Sequence, residues 1–247
     1  MSTDHFSPVA QQYVQSRPTY PPELFDWLAQ ACAGHDLAWD VGAGNGQASV
    51  ALAVHFAKVL ATDLSEAQIA QAAAHERIEY RTAPADRSGL PDASVDVVTI
   101  AQALHWFDCD SFYAEARRVL KPGGLIAAWT YGVLHVEGEA VEERISHFYR
   151  RVVGPYWPAG RRHVENGYSE LPFPFEAVAS PELAIRLAWS LDELLGYCRS
   201  WSATSYCQRA TGSDPVIALE AELAPAWGPR DQRRLVTWPI AIRAGRR

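Results

Sequence analysis

The sequence predicts an α/β protein built on a doubly wound, mostly parallel sheet of seven strands, with a small cap inserted in its C-terminal half. Three observations carry this expectation. Short apolar segments alternate with amphipathic helical ones through the first half of the chain. A glycine-rich turn, Gly42-Ala43-Gly44-Asn45-Gly46, joins the first strand of that alternation to a helix. Val95 to Ala101 is apolar almost throughout, the pattern of a strand covered on both faces. With 247 residues, 48% of them hydrophobic, the chain can bury one such core and carry a cap.

The elements follow in order. Leu24, Phe25, Leu28 and Ala31 recur at helical spacing, Pro22 suits a first turn and Glu23 the positive end of the dipole, so a helix is expected over 22–33, ended by Gly34. Leu37 to Val41 reads as a strand, Gln47 to Phe56 as a helix, and Lys58 to Thr62 as a second strand closed by Asp63. Ser65 caps a helix expected to run to about His75, with Glu66 in its first turn. Ile78 to Arg81 is a short third strand, 83–94 a loop of Pro, Gly, Asp and Ser, and Val95 to Ala101 the fourth strand. Asp108 to Leu120 is a helix, Lys121-Pro122-Gly123-Gly124 a turn, and Leu125 to Tyr131 a fifth strand.

After residue 132 the rhythm changes. A helix is expected over 139–152 and an ordered, irregular insertion rich in Pro, Gly and aromatic residues over 154–181. Leu183 to Trp189 reads as a strand, Leu191 to Trp201 and Asp214 to Leu223 as helices, and Leu235 to Arg243 as a late strand.

Composition excludes several classes of function. The 22 basic and 29 acidic residues give a net charge of −7, against a general nucleic-acid footprint or an anionic-membrane binder. The acidic excess lies in residues 1–130, with 8 basic and 15 acidic side chains; the rest of the chain balances at 14 each. No apolar run approaches the ~20 residues of a membrane span, and the N-terminus has no secretory layout. Cys32, Cys109, Cys198 and Cys207 are scattered, which fits a reducing cytoplasm, and no histidine cluster has metal-ligand spacing.

The glycine turn indicates a nucleoside cofactor. Glycine lets the backbone turn sharply and lets a ligand approach it. About twenty residues on, Asp63 ends the second strand, where a carboxylate can accept both hydroxyls of a ribose. A dinucleotide fingerprint reads G-x-G-x-x-G; here the pattern is G-x-G-x-G followed by Gln47, and an acid, Asp40, precedes the turn. An acid there can orient an ammonium, directly or through backbone groups and water, whereas a pyrophosphate would be repelled. A nicotinamide-dependent oxidoreductase therefore stays the alternative enzyme, and a cofactor-binding protein without turnover the alternative outside catalysis.

Four segments carry a resemblance: Asp40–Gln47 (DVGAGNGQ), Ala61–Ser65 (ATDLS), Ala83–Asp96 (APADRSGLPDASVD) and Glu115–Trp129 (EARRVLKPGGLIAAW). In this order they resemble the class I S-adenosylmethionine-dependent methyltransferases. Ala101–Phe107 (AQALHWF), RPTYP at 17–21 and YCRSWSA at 197–203 resemble the branch that includes trans-aconitate methyltransferase. The resemblance implies a Rossmann-like methyltransferase fold and S-adenosyl-L-methionine as cofactor. It implies that Asp40, Gly42, Ala43 and Gly44 hold the methionine part, and that Asp63 takes the ribose with Leu64 against the adenine. Ala85 and Asp86 would face the adenine amine, Asp86 standing where many relatives have Glu, and Gln102 would line the methionine side. Tyr13 and Arg17 would fold over the cofactor, although Arg17 equally suits a surface ion pair.

The segments then read as an N-terminal helical cap (1–34), a cofactor-binding core (35–132), a cap insertion with substrate contacts (133–182) and a stretch completing the sheet (183–247). His105 is the candidate general base, since it follows the fourth strand and its ordinary pKa suits neutral chemistry; it equally suits a packing corner with Trp106 and Phe107. His105, Trp106, Tyr131, Arg161 and Trp201 are the candidate substrate contacts, aromatic walls and a guanidinium for an anionic small molecule; any one of them taken singly suits ordinary packing or, for the arginine, solvation better. The expected reaction is methyl transfer to a small-molecule acceptor, by O-methylation, with a carboxylate among the candidate groups.

Overall fold

The computed structural model describes residues 18–247. Its sheet has nine strands: β1 (Leu37–Val41), β2 (Lys58–Asp63), β3 (Ile78–Thr82), β4 (Val95–Ala101), β5 (Leu120–Tyr131), β6 (His135–Val136), β7 (Glu176–Val178), β8 (Leu183–Trp189) and β9 (Arg234–Arg246). The parallel part runs β3-β2-β1-β4-β5, and β9 pairs antiparallel with β5. Ile240 pairs with Tyr131 on one side and Leu183 on the other, so β5 and β6 flank one edge of β9 while β7 and β8 flank the opposite edge. The nine strands thus fill the seven lanes expected.

Side chains alternate between the two faces with the period of two that a strand imposes. Val97, Leu125, Ala127 and Trp129 join the core under α1 (Pro22–Ala31) and α2 (Gln47–His55). Val98, Ile126 and Ala128 join the opposite core under α4 (Cys109–Val119), with Phe112, Ala116 and Val119 against them. Both faces are covered, which is why these strands read as continuous apolar runs. The first core also takes in the C-terminal helices α5 (Glu139–His147), α7 (Leu191–Arg199), α8 (Ser202–Thr211) and α9 (Pro215–Trp227). The second takes in Val164, Tyr168 and Phe175 of the insertion, whose short helix α6 is Arg161–Glu165.

Four local expectations are corrected. The helix opened by Ser65, α3, stops at Ile69, because the alanine run after it has no large apolar side chain to bury. The Lys121–Gly124 turn is drawn into β5 as an irregularity: Leu120 pairs with Val95, then the register shifts before Leu125 pairs with Val97. The helix over 139–152 is α only to His147 and continues as a π turn, Phe148–Val152. Finally, α8 lies between the two C-terminal helices that were expected. Its sequence, SATSYCQRAT, buries only Ala203, Thr204 and Cys207, too weak a stripe to announce it.

The order β3-β2-β1-β4-β5 reverses direction of travel between β1 and β4, and ligands of such sheets lie outside the carboxyl ends of the strands at that point. Val41, Asp63, Ala101 and Tyr131 end their strands there. No helix among the described residues is long and apolar enough to cross a membrane.

Candidate active site

The glycine turn leaves β1 through three left-handed residues, Gly42 (φ 67°), Gly44 (φ 57°) and Gly46 (φ 85°). At two of them the space for a side chain is also missing. A Cβ on Gly42 would stand 2.5 Å from Ala103 Cβ, and one on Gly46 would stand 2.5 Å from the Tyr80 hydroxyl. Backbone hydrogen bonds tie the turn to β2 and to itself: Ala43 N–H donates to Thr62 O (3.0 Å) and Gly46 N–H to Ala43 O (2.9 Å).

Two carboxylates frame this turn and behave differently. Asp63 accepts the Gly44 N–H on Oδ2 and the Ser65 N–H on Oδ1, each at 2.8 Å, so it fixes both the turn and the start of α3. Its side chain remains half-buried, and beside it Leu64 is 59% exposed, a large apolar surface at the mouth of the crevice. Asp40 is wholly enclosed. Its Oδ2 accepts from Ser49 Oγ (2.6 Å) and its Oδ1 from Thr99 Oγ1 (3.0 Å). Burial, aided by the charge of Asp63, pushes its carboxyl up to about 6 against the pull of those two hydroxyls.

The other expected positions fall around the same crevice or beside it. Ala85 is half-buried and Asp86 exposed, in a turn closed by Arg87 N–H on Pro84 O (3.2 Å). Gln102 takes a left-handed conformation (φ 57°) and is tied to β5: its Oε1 accepts from Thr130 Oγ1 (2.6 Å) and its Nε2 donates to Tyr131 O (3.2 Å). Tyr13 and Arg17 lie outside the described residues.

His105 sits in a 3-10 turn, Leu104–Trp106, just beyond Ala103. Its Nδ1 is 3.2 Å from the Tyr168 hydroxyl, and the ring of Trp106, 43% exposed, packs tilted against it at 4.7 Å. A Cβ on Gly160 would stand 3.3 Å from His105 Cδ2, so the imidazole abuts the segment carrying Arg161. Burial, then the charges of Arg161 and His163, push the His105 pKa down to about 4.

Arg161 lines a cleft of about 540 Å³ together with Val133, Tyr149, Trp157 and Glu165. Its Nε donates to Tyr149 Oη (2.7 Å), and Tyr149 Oη donates to Glu165 Oε1 (2.5 Å). The guanidinium lies 4.6 Å over the Trp157 ring. Among the described residues its two terminal nitrogens have no hydrogen-bond acceptor. Tyr131 and Trp201 do not line this cleft. Tyr131 packs in the core 6.1 Å from Tyr20. Trp201 lies under the cleft wall, ring against ring with Tyr149 (5.5 Å) and Trp157 (5.8 Å), because four aromatic neighbours give it more contact than solvent would.

Sequence reasoning missed Tyr149 and Glu165. Tyr149 stands in the π turn, off the helical repeat. Tyr168, among the aromatic residues of the insertion, takes a left-handed conformation (φ 64°). The pairing of Arg161 with Glu165 at i, i+4 was a readable signal.

Comparison with known proteins decides the family. The methyltransferase domain family matches residues 39–128. A Dictyostelium discoideum protein with a methyltransferase name is 33% identical over 233 residues, covering 92% of this chain and 88% of its own. A crystallised Anaeromyxobacter dehalogenans protein named as a type II methyltransferase superposes with a TM-score of 0.89 at 48% identity, covering 93% of this chain and 97% of that one. This chain belongs to the class I S-adenosylmethionine-dependent methyltransferases. A Saccharomyces cerevisiae protein named as an S-adenosylmethionine-dependent methyltransferase is 30% identical over 245 residues, 83% of each chain. The nicotinamide alternative falls with this result.

The crevice of the methyltransferase fits S-adenosylmethionine: a glycine turn with room at Gly44, a half-buried carboxylate at the end of β2, and exposed apolar surface on Leu64 beside it. If Asp63 takes the ribose, replacing it by Ala removes charge-assisted hydrogen bonding worth roughly 1.5–3 kcal/mol in all. Calorimetric titration with S-adenosylhomocysteine is expected to show a dissociation constant raised about ten- to a hundred-fold. An unchanged constant in a folded variant would remove Asp63 from the cofactor site.

Proposed function

We propose that this methyltransferase O-methylates a small molecule bearing a carboxylate, anchored by Arg161. The observation that carries the reading is the guanidinium itself. Tyr149 and Trp157 hold its plane, and among the described residues its terminal N–H groups have no acceptor and border the cleft. That is the donor arrangement for a carboxylate. Arg150 and Arg162 line the same cleft, against Glu165 as its one acid among the lining residues.

The state of His105 supports the same acceptor. A hydroxyl nucleophile needs a base with a pKa near the working pH. At about 4, His105 is neutral at pH 7 but a weak proton acceptor. A carboxylate is already ionised and needs none. When bound, S-adenosylmethionine supplies a methyl group activated by the positive sulfur. The chain's part is then to bind, align and exclude water, which can be worth ~7–11 kcal/mol.

In this reading Asp63 holds the ribose, Leu64, Ala85 and Asp86 flank the adenine, and Gly42, Ala43, Gly44 and Gln102 border the methionine. Asp40 acts on the ammonium through the turn above it. His105 and Trp106 form the wall between cofactor and acceptor. Segment 133–182 serves as the acceptor cap over a cofactor core of 35–132, with 1–34 and 183–247 completing the enclosure.

Incubation with labelled cofactor and a panel of organic acids, followed by mass spectrometry, identifies the acceptor; a methyl ester is the expected product, and a methylated amine or carbon would overturn the reading. With that acceptor, Arg161→Gln is expected to raise its KM about ten-fold or more, leaving the cofactor KM in place. His105→Asn separates wall from base. Esterification is expected to survive with kcat within about ten-fold of the parent, whereas loss of a true base costs 10²–10⁴-fold.

A further inference from the structure

The loop over 83–94 has neither helix nor strand, yet it is fastened to α4 and β3 by a dense polar network. Ser88, at its centre, is 1% exposed. Its backbone N–H (2.9 Å) and its Oγ (2.6 Å) both donate to Glu115 Oε1, and its carbonyl accepts from Arg81 Nη1 (2.9 Å). Arg118 doubles the fastening. Its Nε donates to Glu115 Oε2 (2.7 Å), its Nη2 to Glu115 Oε1 (2.8 Å) and to Leu90 O (2.8 Å), and its Nη1 to Asp92 Oδ1 (2.5 Å). Glu115 is nearly enclosed, and it directs its acceptors to this loop and to Arg118.

We infer that Glu115 is a positioning residue for the cofactor: acting through Ser88, it sets the backbone of Ala85 and Asp86 against the nucleoside end. The inference rests on the reading that those two residues flank the adenine, and it is independent of the acceptor. The turn they occupy is short. It hangs between the end of β3 and the Ser88 anchor, so the anchor fixes where its backbone stands. The charge on Glu115 matters to this role. Arg118 and the Ser88 bonds hold its carboxyl down to about 2, so the carboxylate stays ionised across the working range.

A control is available in the same sheet. Asp96, at the opposite end of β4, is also a buried carboxylate; it accepts the backbone N–H groups of Asp36 (2.8 Å) and Leu37 (2.9 Å) and the Lys121 ammonium (2.7 Å). It touches no loop at the cofactor end. Glu115→Gln and Asp96→Asn in the full chain are compared by thermal midpoint and by calorimetric titration with S-adenosylhomocysteine, with adenosine measured by displacement. Glu115→Gln is expected to raise both dissociation constants about ten-fold. Asp96→Asn is expected to lower the midpoint with both constants unchanged. Should Glu115→Gln fail to fold, Ser88→Ala, which deletes one of the two bonds to Glu115, carries the same expectation at a smaller size. A lowered midpoint with unchanged constants for the Glu115 or Ser88 variant would make the network purely structural. Weakened S-adenosylhomocysteine with unweakened adenosine would detach the loop from the adenine and overturn the inference from its other side.

Discussion

Everything at the working end of this protein depends on how the backbone leaves β1. Asp63, arriving from β2, accepts the Gly44 N–H and so locks the turn to the neighbouring strand. The same carboxylate opens α3 through the Ser65 N–H. Asp40 sits beneath, sealed by Ser49 from α2 and Thr99 from β4, and its burial holds a carboxyl with a raised pKa under the turn. Three left-handed glycines make the path sterically possible. One short segment thus couples β1, β2, β4 and α2. A change at any of them reaches the cofactor crevice.

The side proposed to take the acceptor is built on a different principle. There the geometry comes from aromatic packing in the C-terminal half. Trp201 supports Tyr149 and Trp157, and these hold the Arg161 guanidinium. The π turn at Phe148–Val152 brings Tyr149 to the cleft, a use to which interruptions of the helical repeat are often put. The two halves meet at His105. It follows the turn after β4, touches Tyr168 and abuts Gly160, so one imidazole borders both the cofactor core and the insertion. Its depressed pKa is a consequence of that enclosure by two layers of protein.

How much of this was legible in the sequence follows from the range of the interactions concerned. The main strands were legible because burial on both faces leaves a local, continuous apolar signature, as in Val95–Ala101, whereas the short strands His135–Val136 and Glu176–Val178 carry no such run. Asp63 and the glycines were legible because their chemistry is also local: a turn, a helix start and an acid at fixed spacing. What stayed hidden depends on distant partners. Glu115 reads as one more charge on an amphipathic helix until the loop 27 residues upstream is folded onto it. Helix α8 has no stripe of its own and is held by its neighbours. Trp201 is a candidate wall by composition, and its packing against Phe148, Tyr149 and Trp157 depends on residues far from it in the chain.

The claim that unites these observations is that the latched turn and the end of β2 together receive the nucleoside. A crystal structure with S-adenosylhomocysteine tests it most directly. The ribose hydroxyls are expected on the Asp63 carboxylate, the adenine between Leu64 and the Ala85–Asp86 turn, and the homocysteine along Gly42–Gly44 with Asp40 still covered. A ligand seated elsewhere, or an Asp63 that keeps only its backbone partners while the ribose binds other groups, would contradict it.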